Sequence, residues 1–394
     1  MTAKWRDTTL GDIAEIVSGA TPKTSVEQYW GGGVPWVTPA DLSGIEGVYI
    51  DSTARTLTTA GLKSCASRLL PTNSVLLSSR APIGLVAINT VPMATNQGFK
   101  SLVPDNSQVD SKFLFWWLRR HRVQLEAMGN GATFKEVSKR IVASVPISLP
   151  PVEEQLRIAA VLDAAAALRW KRQQALTKLH SLSRAIFIGM FGDAVSKDSE
   201  WPVRCLAEVV EEGTTVTYGI VQAGNEFPGG VPYIRSCDIV DGRIQVEGLR
   251  RTDPDIERNY PRSRIRAGEV VMSIRATVGP TALVPDELDG SNLARAIARI
   301  SPDDGVDGTY LLEYLRSDTA QRWIQKQVKG ATFREITLKR LRELPVLVPP
   351  LGLQQEFAET CRKACQLRNS LEDSLDQLDG LFASIQQRAF RGEL

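Results

Sequence analysis

The 394 residues hold only two histidines, His121 and His180, and five cysteines scattered at positions 65, 205, 237, 361 and 365. So few imidazoles argue against zinc sites and against chemistry that turns on histidine. An odd, dispersed set of thiols fits free cysteines in a reducing compartment. Cys361 and Cys365 stand one helical turn apart, but no further ligand type lies beside them, and both are read as structural. No apolar run reaches the ~18 residues that a membrane span needs. Even the alanine-rich stretch 159–168 is broken by Asp163. The opening Met1-Thr2-Ala3-Lys4-Trp5-Arg6 lacks the apolar segment of a secretory signal. A cytoplasmic protein is expected.

Catalytic signatures are missing too. There is no phosphate-cradling Gly-x-x-x-x-Gly-Lys-Ser/Thr loop, no Gly-x-Ser-x-Gly elbow, and no Asn/Asp-Pro-Pro-aromatic tetrapeptide. Pro104-Asp105 followed by Asp110-Ser111-Lys112 has the residue types of a Mg²⁺-dependent nuclease site. Its carboxylates are close together for that role, and Asp110 or Ser111, with Asp307 or Thr309 in the second copy, stand where a helix would need an N-cap. Capping is the expected role.

With 43% hydrophobic and 23% charged residues, the chain has an ordinary globular composition, which excludes disorder, and its length suits two to three domains. Its most informative feature is a repeat with a period near 200. Gly131-Ala132-Thr133-Phe134-Lys135-Glu136 returns as Gly330-Ala331-Thr332-Phe333-Arg334-Glu335, and 10 of the 29 positions 131–159 are identical without a gap. Trp5, Leu10, Val109-Asp110 and Leu118-Arg119 match Trp201, Leu206, Val306-Asp307 and Leu315-Arg316. Gly32-Gly33-Val34-Pro35-Trp36-Val37 matches Gly229-Gly230-Val231-Pro232-Tyr233-Ile234. Ser78-Ser79-Arg80-Ala81 matches Ser273-Ile274-Arg275-Ala276, with Gly84 on Gly279 and Asn96 on Asn292. A unit this long is a duplicated domain, not a solenoid repeat.

Within each copy, short apolar runs at 74–77, 84–88 and 270–274 read as strands, and 113–122 and 310–321 as helices. Leu149-Pro150-Pro151 and Val348-Pro349-Pro350 are hard stops, since proline fixes φ and disfavours helix before it. Long helices are expected after both, over 152–188 and 353–390. Their apolar residues recur every three or four positions: Ile158, Leu162, Ala165, Leu168, Ala175, Leu179, Leu182 and Ile186, then Leu353, Phe357, Ala364, Leu367, Leu371, Leu375, Leu378, Phe382, Ile385 and Ala389. That is a coiled-coil seam, and a narrow stripe on a helix of ~55 Å needs a partner. Each helix is the other's simplest partner, in antiparallel packing. The expected fold class is mixed α/β: two tandem globular domains separated by two long antiparallel coiled-coil helices, related by a pseudo-twofold axis. Expected boundaries are 1–150, 151–192, 193–350 and 351–394.

The net charge of +2 divides unevenly, with residues 1–150 carrying +4 and 193–350 carrying −3. No diffuse basic field marks the chain. The second domain nonetheless uses 17 Arg against 4 Lys, eight of the arginines between Arg243 and Arg275. Arginine's planar fork matches guanine and phosphate edges. A solvated surface paired with Asp253, Asp255 and Glu257 accounts for them equally well.

Duplicated domains, each ending in a Pro-Pro step and a long helix, resemble the specificity subunit of Type I restriction–modification systems. The motifs Leu10-Gly11-Asp12-Ile13-Ala14-Glu15-Ile16-Val17-Ser18-Gly19-Ala20-Thr21-Pro22, Pro35-Trp36-Val37-Thr38-Pro39-Ala40-Asp41-Leu42, Leu149-Pro150-Pro151-Val152-Glu153-Glu154-Gln155, Ile186-Phe187-x-x-Met190-Phe191-Gly192-Asp193 and Ala389-Phe390-Arg391-Gly392-Glu393-Leu394 carry the resemblance. Leu351-Gly352-Leu353-Gln354 departs from it by lacking the acidic residue before the glutamine, which bears on one contact at the start of the second helix. The resemblance implies two target-recognition domains, each reading half of a bipartite site in double-stranded DNA. It also implies two docked methyltransferase subunits that carry the S-adenosylmethionine site, and a restriction subunit; the chain itself would be non-catalytic and need no cofactor or metal.

If the two domains read different sequences, residues shared by the copies serve fold or docking, and readers differ. Gly84/Gly279, Phe134/Phe333 and Pro151/Pro350 are therefore scaffold candidates, and Arg80 and Arg275 are assigned to structure or phosphate contact. The DNA-reading candidates are Lys23, Gln28, Arg55, Lys63 and Arg68 in the first copy. In the second they are Tyr218, Gln222, Asn225, Arg250, Arg251, Arg258 and Arg262, all taken as lying in unmatched loops. A coiled-coil adaptor that never touches DNA and a self-sufficient nuclease are the competing function classes.

Overall fold

The computed structural model describes residues 5–45, 47–131, 135–180, 182–192, 201–330 and 334–394, with the His180 side chain excepted. The scaffold candidates Phe134 and Phe333, and Asp193, lie outside the described residues. The chain forms two compact units, one of Met1–Gln174 with Asp373–Leu394, the other of Ala175–Glu372. Each unit thus combines one globular part with a stretch of both long helices. Linear cuts at the Pro-Pro steps do not separate them.

In the first unit the opening strand Arg6–Thr9 pairs antiparallel with the closing strand Pro146–Leu149, so the globular part ends beside its start. Between them lies a five-stranded sheet in the order Ala14–Ser18, Lys100–Pro104, Val75–Ser79, Ile83–Asn89, Tyr49–Ile50. A three-stranded sheet stands beside it in the order Thr56–Leu57, Trp30–Val37, Ala94–Thr95. Asp110 caps the helix Ser111–Arg120 through its carboxylate, which accepts from the Phe113 N–H at 2.9 Å. That helix buries Phe113, Leu114, Phe115, Trp116 and Trp117 in the core, where each large apolar side chain contributes roughly 1.5–3 kcal/mol.

The second unit repeats this plan. Val203–Cys205 pairs with Pro345–Leu347. A four-stranded sheet runs Thr217–Tyr218, Ile297–Ile300, Val270–Ser273, Thr281–Leu283, and a three-stranded one runs Arg251–Thr252, Val231–Ile234, Asn292–Leu293. Asp307 caps the helix Gly308–Arg316, accepting from the Thr309 and Tyr310 N–H groups at 2.8 and 3.2 Å. Of the two carboxylates that looked like a nuclease trace, Asp110 is a helix cap and Asp105 accepts from the Ser107 N–H and hydroxyl and from the Gln108 amide, while Lys112 is spent on Asp163 at 2.7 Å. Gly84 and Gly279 both hold positive φ, 87° and 119°, and an added Cβ would lie 2.6 Å from the Arg122 side chain or 2.5 Å from that of Gln321. At both positions the positive φ favours glycine.

The helices run Val152–His180, continuing as Leu182–Phe191, and Leu351–Ala389. Within the first unit Arg169 pairs with Asp379, and Arg157 donates to the Leu394 carbonyl at 3.0 Å, so the two segments run antiparallel. Within the second unit Ser183 bonds Cys361, and the Phe187 and Phe357 rings lie 5.6 Å apart, again antiparallel. Ile158, Leu162, Phe357, Phe382 and Ala389 are buried as expected. Leu168, Leu353 and Leu367 are not: they are 47%, 37% and 52% exposed and fall off the seam. Asp163 has a purpose inside its alanine-rich run, since it accepts from both Lys112 and the Trp116 indole at 2.7 Å. At the second helix start the missing acid costs one contact: Glu154 pairs with Arg157 at 2.7 Å, whereas Leu353 and Glu356 hold the corresponding places.

Candidate nucleic-acid interface

Strand register aligns the two units residue by residue. Trp36 faces Ala94 as Tyr233 faces Asn292, and Pro35 faces Thr56 as Pro232 faces Arg251. Asn292 is therefore the counterpart of Ala94, not of Asn96, and the sequence match at Asn96 is corrected by two residues. The N–H groups of Asn96 and Ala294 make the equivalent bonds, to the Val37 and Ile234 carbonyls at 3.0 and 2.9 Å.

The small sheet of the first unit organises its candidate residues. The exposed Arg55 guanidinium lies 3.6 Å from the centroid of the Trp30 ring and 5.4 Å from that of Trp36. The Trp36 indole donates to the Ala20 carbonyl at 3.1 Å, and the Trp30 indole to the Lys23 carbonyl at 3.5 Å. Thr58 donates to the Gln28 carbonyl at 2.8 Å and caps the helix Thr59–Lys63. Lys23, Gln28, Arg55 and Lys63 thus share one exposed rim over a pair of tryptophans in edge-to-face contact. Arg68 is tied elsewhere, to Glu15 on strand Ala14–Ser18; its hydrogen bond holds the Glu15 carboxyl below its usual range.

In the second unit the Tyr233 N–H donates to the Arg250 carbonyl at 3.0 Å, just as the Trp36 N–H donates to that of Arg55 at 3.1 Å. Arg250 is the counterpart of Arg55, and from the same register Arg258 is that of Lys63. These residues do not lie in unmatched loops. They are shared cations that the sequence comparison missed because nothing around them is identical. The segment holding Gln222 and Asn225, both exposed, lies along the same sheet edge: Thr252 donates to the Ala223 carbonyl at 2.7 Å, and the Arg251 N–H to Glu226 at 3.0 Å. Tyr218 pairs with Ala298 and is 42% exposed.

Several arginines are occupied. Arg251 donates to the Gly230 carbonyl at 2.9 Å, Arg258 pairs with Asp255 at 2.8 Å, Arg264 with Glu257 at 2.6 Å and Arg266 with Glu211 at 3.1 Å. The paired-surface account therefore holds for much of the cluster. Among the described residues, no hydrogen bond or ion pair engages the charged groups of Lys23, Arg55, Lys63, Arg80, Arg250, Arg262 or Arg295.

Arg80 and Arg275 occupy equivalent turns, bridged to Glu136 and Glu335, but in different states. Lys100 takes Glu136 at 3.0 Å and leaves Arg80 unpaired. The counterpart of Lys100 is Ala298, so Glu335 pairs with Arg275 at 2.7 Å instead. The corrected register also exposes a pair absent from the candidates: Gln97 and Arg295, both exposed, occupy one position. Among the described residues no group of three or more His, Cys, Asp or Glu could hold a metal ion.

A topology built twice, each copy carrying an exposed cationic rim on a small aromatic sheet and followed by a long helix, defines a two-site binding protein. The chain belongs to the family of the Type I restriction modification DNA specificity domain, whose model matches residues 2–178 and again 198–376. It is similar to the Type I restriction enzyme MjaIX specificity subunit of Methanocaldococcus jannaschii, 28% identical over 90% of this chain and 85% of that protein. It is also similar to the EcoBI specificity subunit of Escherichia coli, 25% identical over 77% of this chain and 70% of the relative. Among solved structures, the S subunit of a Type I system from M. genitalium superposes with a TM-score of 0.55 at 14% identity, covering 98% of this chain and 96% of that one. A chain from a type I R-M assembly superposes with a TM-score of 0.62 at 19% identity, covering 99% and 98%. These two likenesses concern the fold.

Proposed function

We propose that this chain is the non-catalytic DNA sequence-specificity subunit of a Type I restriction–modification complex. Each globular unit reads one half of a bipartite target in double-stranded DNA. The paired helices set the spacer and dock two methyltransferase subunits, and restriction subunits join that assembly. The observation carrying this reading is the double construction of one rim, cationic at shared positions and polar but different at others. Shared cations suit the sequence-independent phosphate backbone, while base edges demand residues that vary with the sequence read.

Accordingly Arg55/Arg250, Lys63/Arg258 and Arg80/Arg275 are assigned to the backbone, with Arg258 and Arg275 exchanging their ion pairs for phosphate. Lys23, Gln28, Tyr218, Gln222, Asn225, Arg251 and Arg262 line the surfaces where bases are read, and Arg68 lies at the margin beside Glu15. Domain limits of 1–150, 151–192, 193–350 and 351–394 describe the chain in this role.

Mapping modified bases across the host genome tests the reading. The expected motif is two short blocks separated by a fixed gap, lost when the chain is deleted. Modification at single uninterrupted sites contradicts it, and an adaptor that brings methyltransferases together without touching DNA would show no sequence preference when mixed with them in a gel shift.

A further inference from the structure

We propose that Gln97 and Arg295, one structural position in two copies, are specificity-determining residues: Gln97 recognises an adenine in one half-site and Arg295 a guanine in the other. This rests on the DNA-reading role proposed above and names where part of that reading takes place.

Both residues sit on the loop between the edge strand of the small sheet and the strand that re-enters the large one. The loop is fixed on each side. In the first unit the Asn96 N–H donates to the Val37 carbonyl at 3.0 Å, and the Ser79 N–H donates to the Gly98 carbonyl at 2.7 Å. In the second, the Ala294 N–H donates to the Ile234 carbonyl at 2.9 Å and the Ile274 N–H to the Ala296 carbonyl at 2.8 Å. The residue between each pair of anchors is exposed, while its backbone has little freedom. A side chain presented from a fixed backbone loses less conformational entropy on binding than one on a loose loop.

The neighbourhood matches a reading head. A Cβ at Gly98 would lie 3.4 Å from the Arg80 side chain, so an unpaired cation packs against the residue that follows Gln97. Its carboxamide oxygen accepts from the Thr21 hydroxyl, one residue beyond the Ala20 carbonyl that holds the Trp36 indole. In the second unit the Arg295 N–H donates to the Ile220 carbonyl at 2.9 Å, and Val221 replaces Thr21. The whole pair has therefore changed, from Thr21 with Gln97 to Val221 with Arg295. Val221 cannot hydrogen-bond, and no partner holds the Arg295 guanidinium among the described residues.

The chemistry of each tip selects a base. A carboxamide accepts from adenine N6 and donates to N7, and Thr21 uses only one of the two lone pairs on the Gln97 oxygen. A guanidinium donates two parallel hydrogen bonds to guanine O6 and N7. Shared phosphate-directed cations beside a non-shared reader is the arrangement expected of one scaffold used for two sequences.

The test uses Arg295→Gln and Gln97→Arg in the full chain, assembled with its methyltransferase subunits. Each assembly is titrated with duplexes in which every base pair of both mapped half-sites is replaced in turn. Arg295→Gln is expected to lose its preference at one G·C pair of one half-site and to bind the native duplex roughly 5- to 150-fold more weakly. The base profile of the other half-site should not move. Gln97→Arg should do the same at one A·T pair of that other half. Uniform weakening with unchanged base preferences overturns the proposal and makes 295 a phosphate contact. So does an Arg295→Gln chain that fails to assemble, since that gives the arginine a structural role. A wild-type assembly without bipartite preference would instead sink the DNA-reading role itself.

Discussion

The Gln155 side chain locks onto the Asp110 backbone, 45 residues away: the Asp110 N–H donates to Oε1 at 2.8 Å. Its Nε2 donates to the Gln108 and Pro150 carbonyls at 2.9 and 2.8 Å. Gln354 repeats the clamp, accepting from the Asp307 N–H at 2.9 Å and donating to the Gly305 and Pro349 carbonyls at 3.1 and 2.7 Å. Both side chains are fully buried. Each ties the start of a long helix to the residue that caps the aromatic helix of its own unit.

Removing either clamp leaves a part-buried N–H and two carbonyls, the one from Pro150 or Pro349 buried, without their partner. Gln155→Ala or Gln354→Ala should cost about 1–3 kcal/mol, read as a lower denaturation midpoint. Glu at either position should be worse, since its carboxylate cannot donate to the two carbonyls. A loss no larger than that of an exposed helix glutamine such as Gln377→Ala would mean that the clamp is incidental.

Much of this was legible before the fold was known. Pro150-Pro151 and Pro349-Pro350 mark where each globular part stops, a cap is legible at Asp110 or Ser111 and at Asp307 or Thr309, and Gly84 with Gly279 reads as shared scaffold, because these depend on local backbone rules. Long-range register was not legible. Asn96 and Asn292 look like partners in sequence, but loops of unequal length conceal a two-residue shift that only cross-strand pairing reveals. The same shift hid Gln97 opposite Arg295, and the divergent flanks hid Arg55 opposite Arg250. Leu168 and Leu367 fit the helical spacing, yet spacing does not record which part of an apolar stripe finds a partner.

One polar network distinguishes the units and carries a pH dependence. Buried Glu257 accepts from Arg264 at 2.6 and 2.7 Å and from Asn292 at 3.0 Å. The first unit has Leu62 and Ala94 at these places, packed with Trp36 and Leu57. The Arg264 hydrogen bonds chiefly hold the Glu257 carboxyl below its unfolded value of 4.5, against the opposing effect of burial. A carboxyl depressed in the folded state stabilises above the unfolded pKa, and that stability is lost as pH falls through the folded one. Glu257→Gln should therefore lower stability at pH 7 by about 1–3 kcal/mol and flatten the acid limb below pH 4.5. Urea midpoints from pH 7 down to pH 3 measure both, and an acid limb with unchanged slope would remove Glu257 as its source.

Cys361 is buried, which pushes its thiol up to about 11 against the smaller opposing effect of the Ser183 hydrogen bond. At pH 8 only about a thousandth of it is thiolate, the reactive form. Cys237 and Cys365 are exposed. Alkylation followed by peptide mass spectrometry should modify Cys237 and Cys365 first and Cys361 last, with the lag shortening once the chain is unfolded. Prompt labelling of Cys361 in the native chain would place the thiol outside the helix pair of its unit.

Arg55 and Arg250 hold equivalent places, so each should act on affinity and not on sequence preference. Replacing one by Ala should weaken binding to cognate and unrelated duplexes alike and reduce the slope of log K against log salt by roughly 1. Arg55→Ala should also expose the Trp30 face, visible as a changed tryptophan emission. Titrations at four salt concentrations on both duplexes suffice. A loss confined to the cognate duplex would move these arginines from the backbone to the bases.

The chain passes from one unit to the other at two places, between Gln174 and Ala175 and between Glu372 and Asp373, both inside long helices. The spacing of the half-sites then depends on helix length and not on either globular part. Seven residues added at both places lengthen each helix by about 10.5 Å while nearly preserving the facing stripe. At 3.4 Å per base pair this corresponds to roughly 3 base pairs. The modified motif should keep both half-sites letter for letter and widen its gap by that amount. Insertion into one helix alone should misalign the antiparallel pairing and reduce assembly. If the paired insertion leaves the gap unchanged, or alters a half-site while sparing the gap, the helices do not set the spacing.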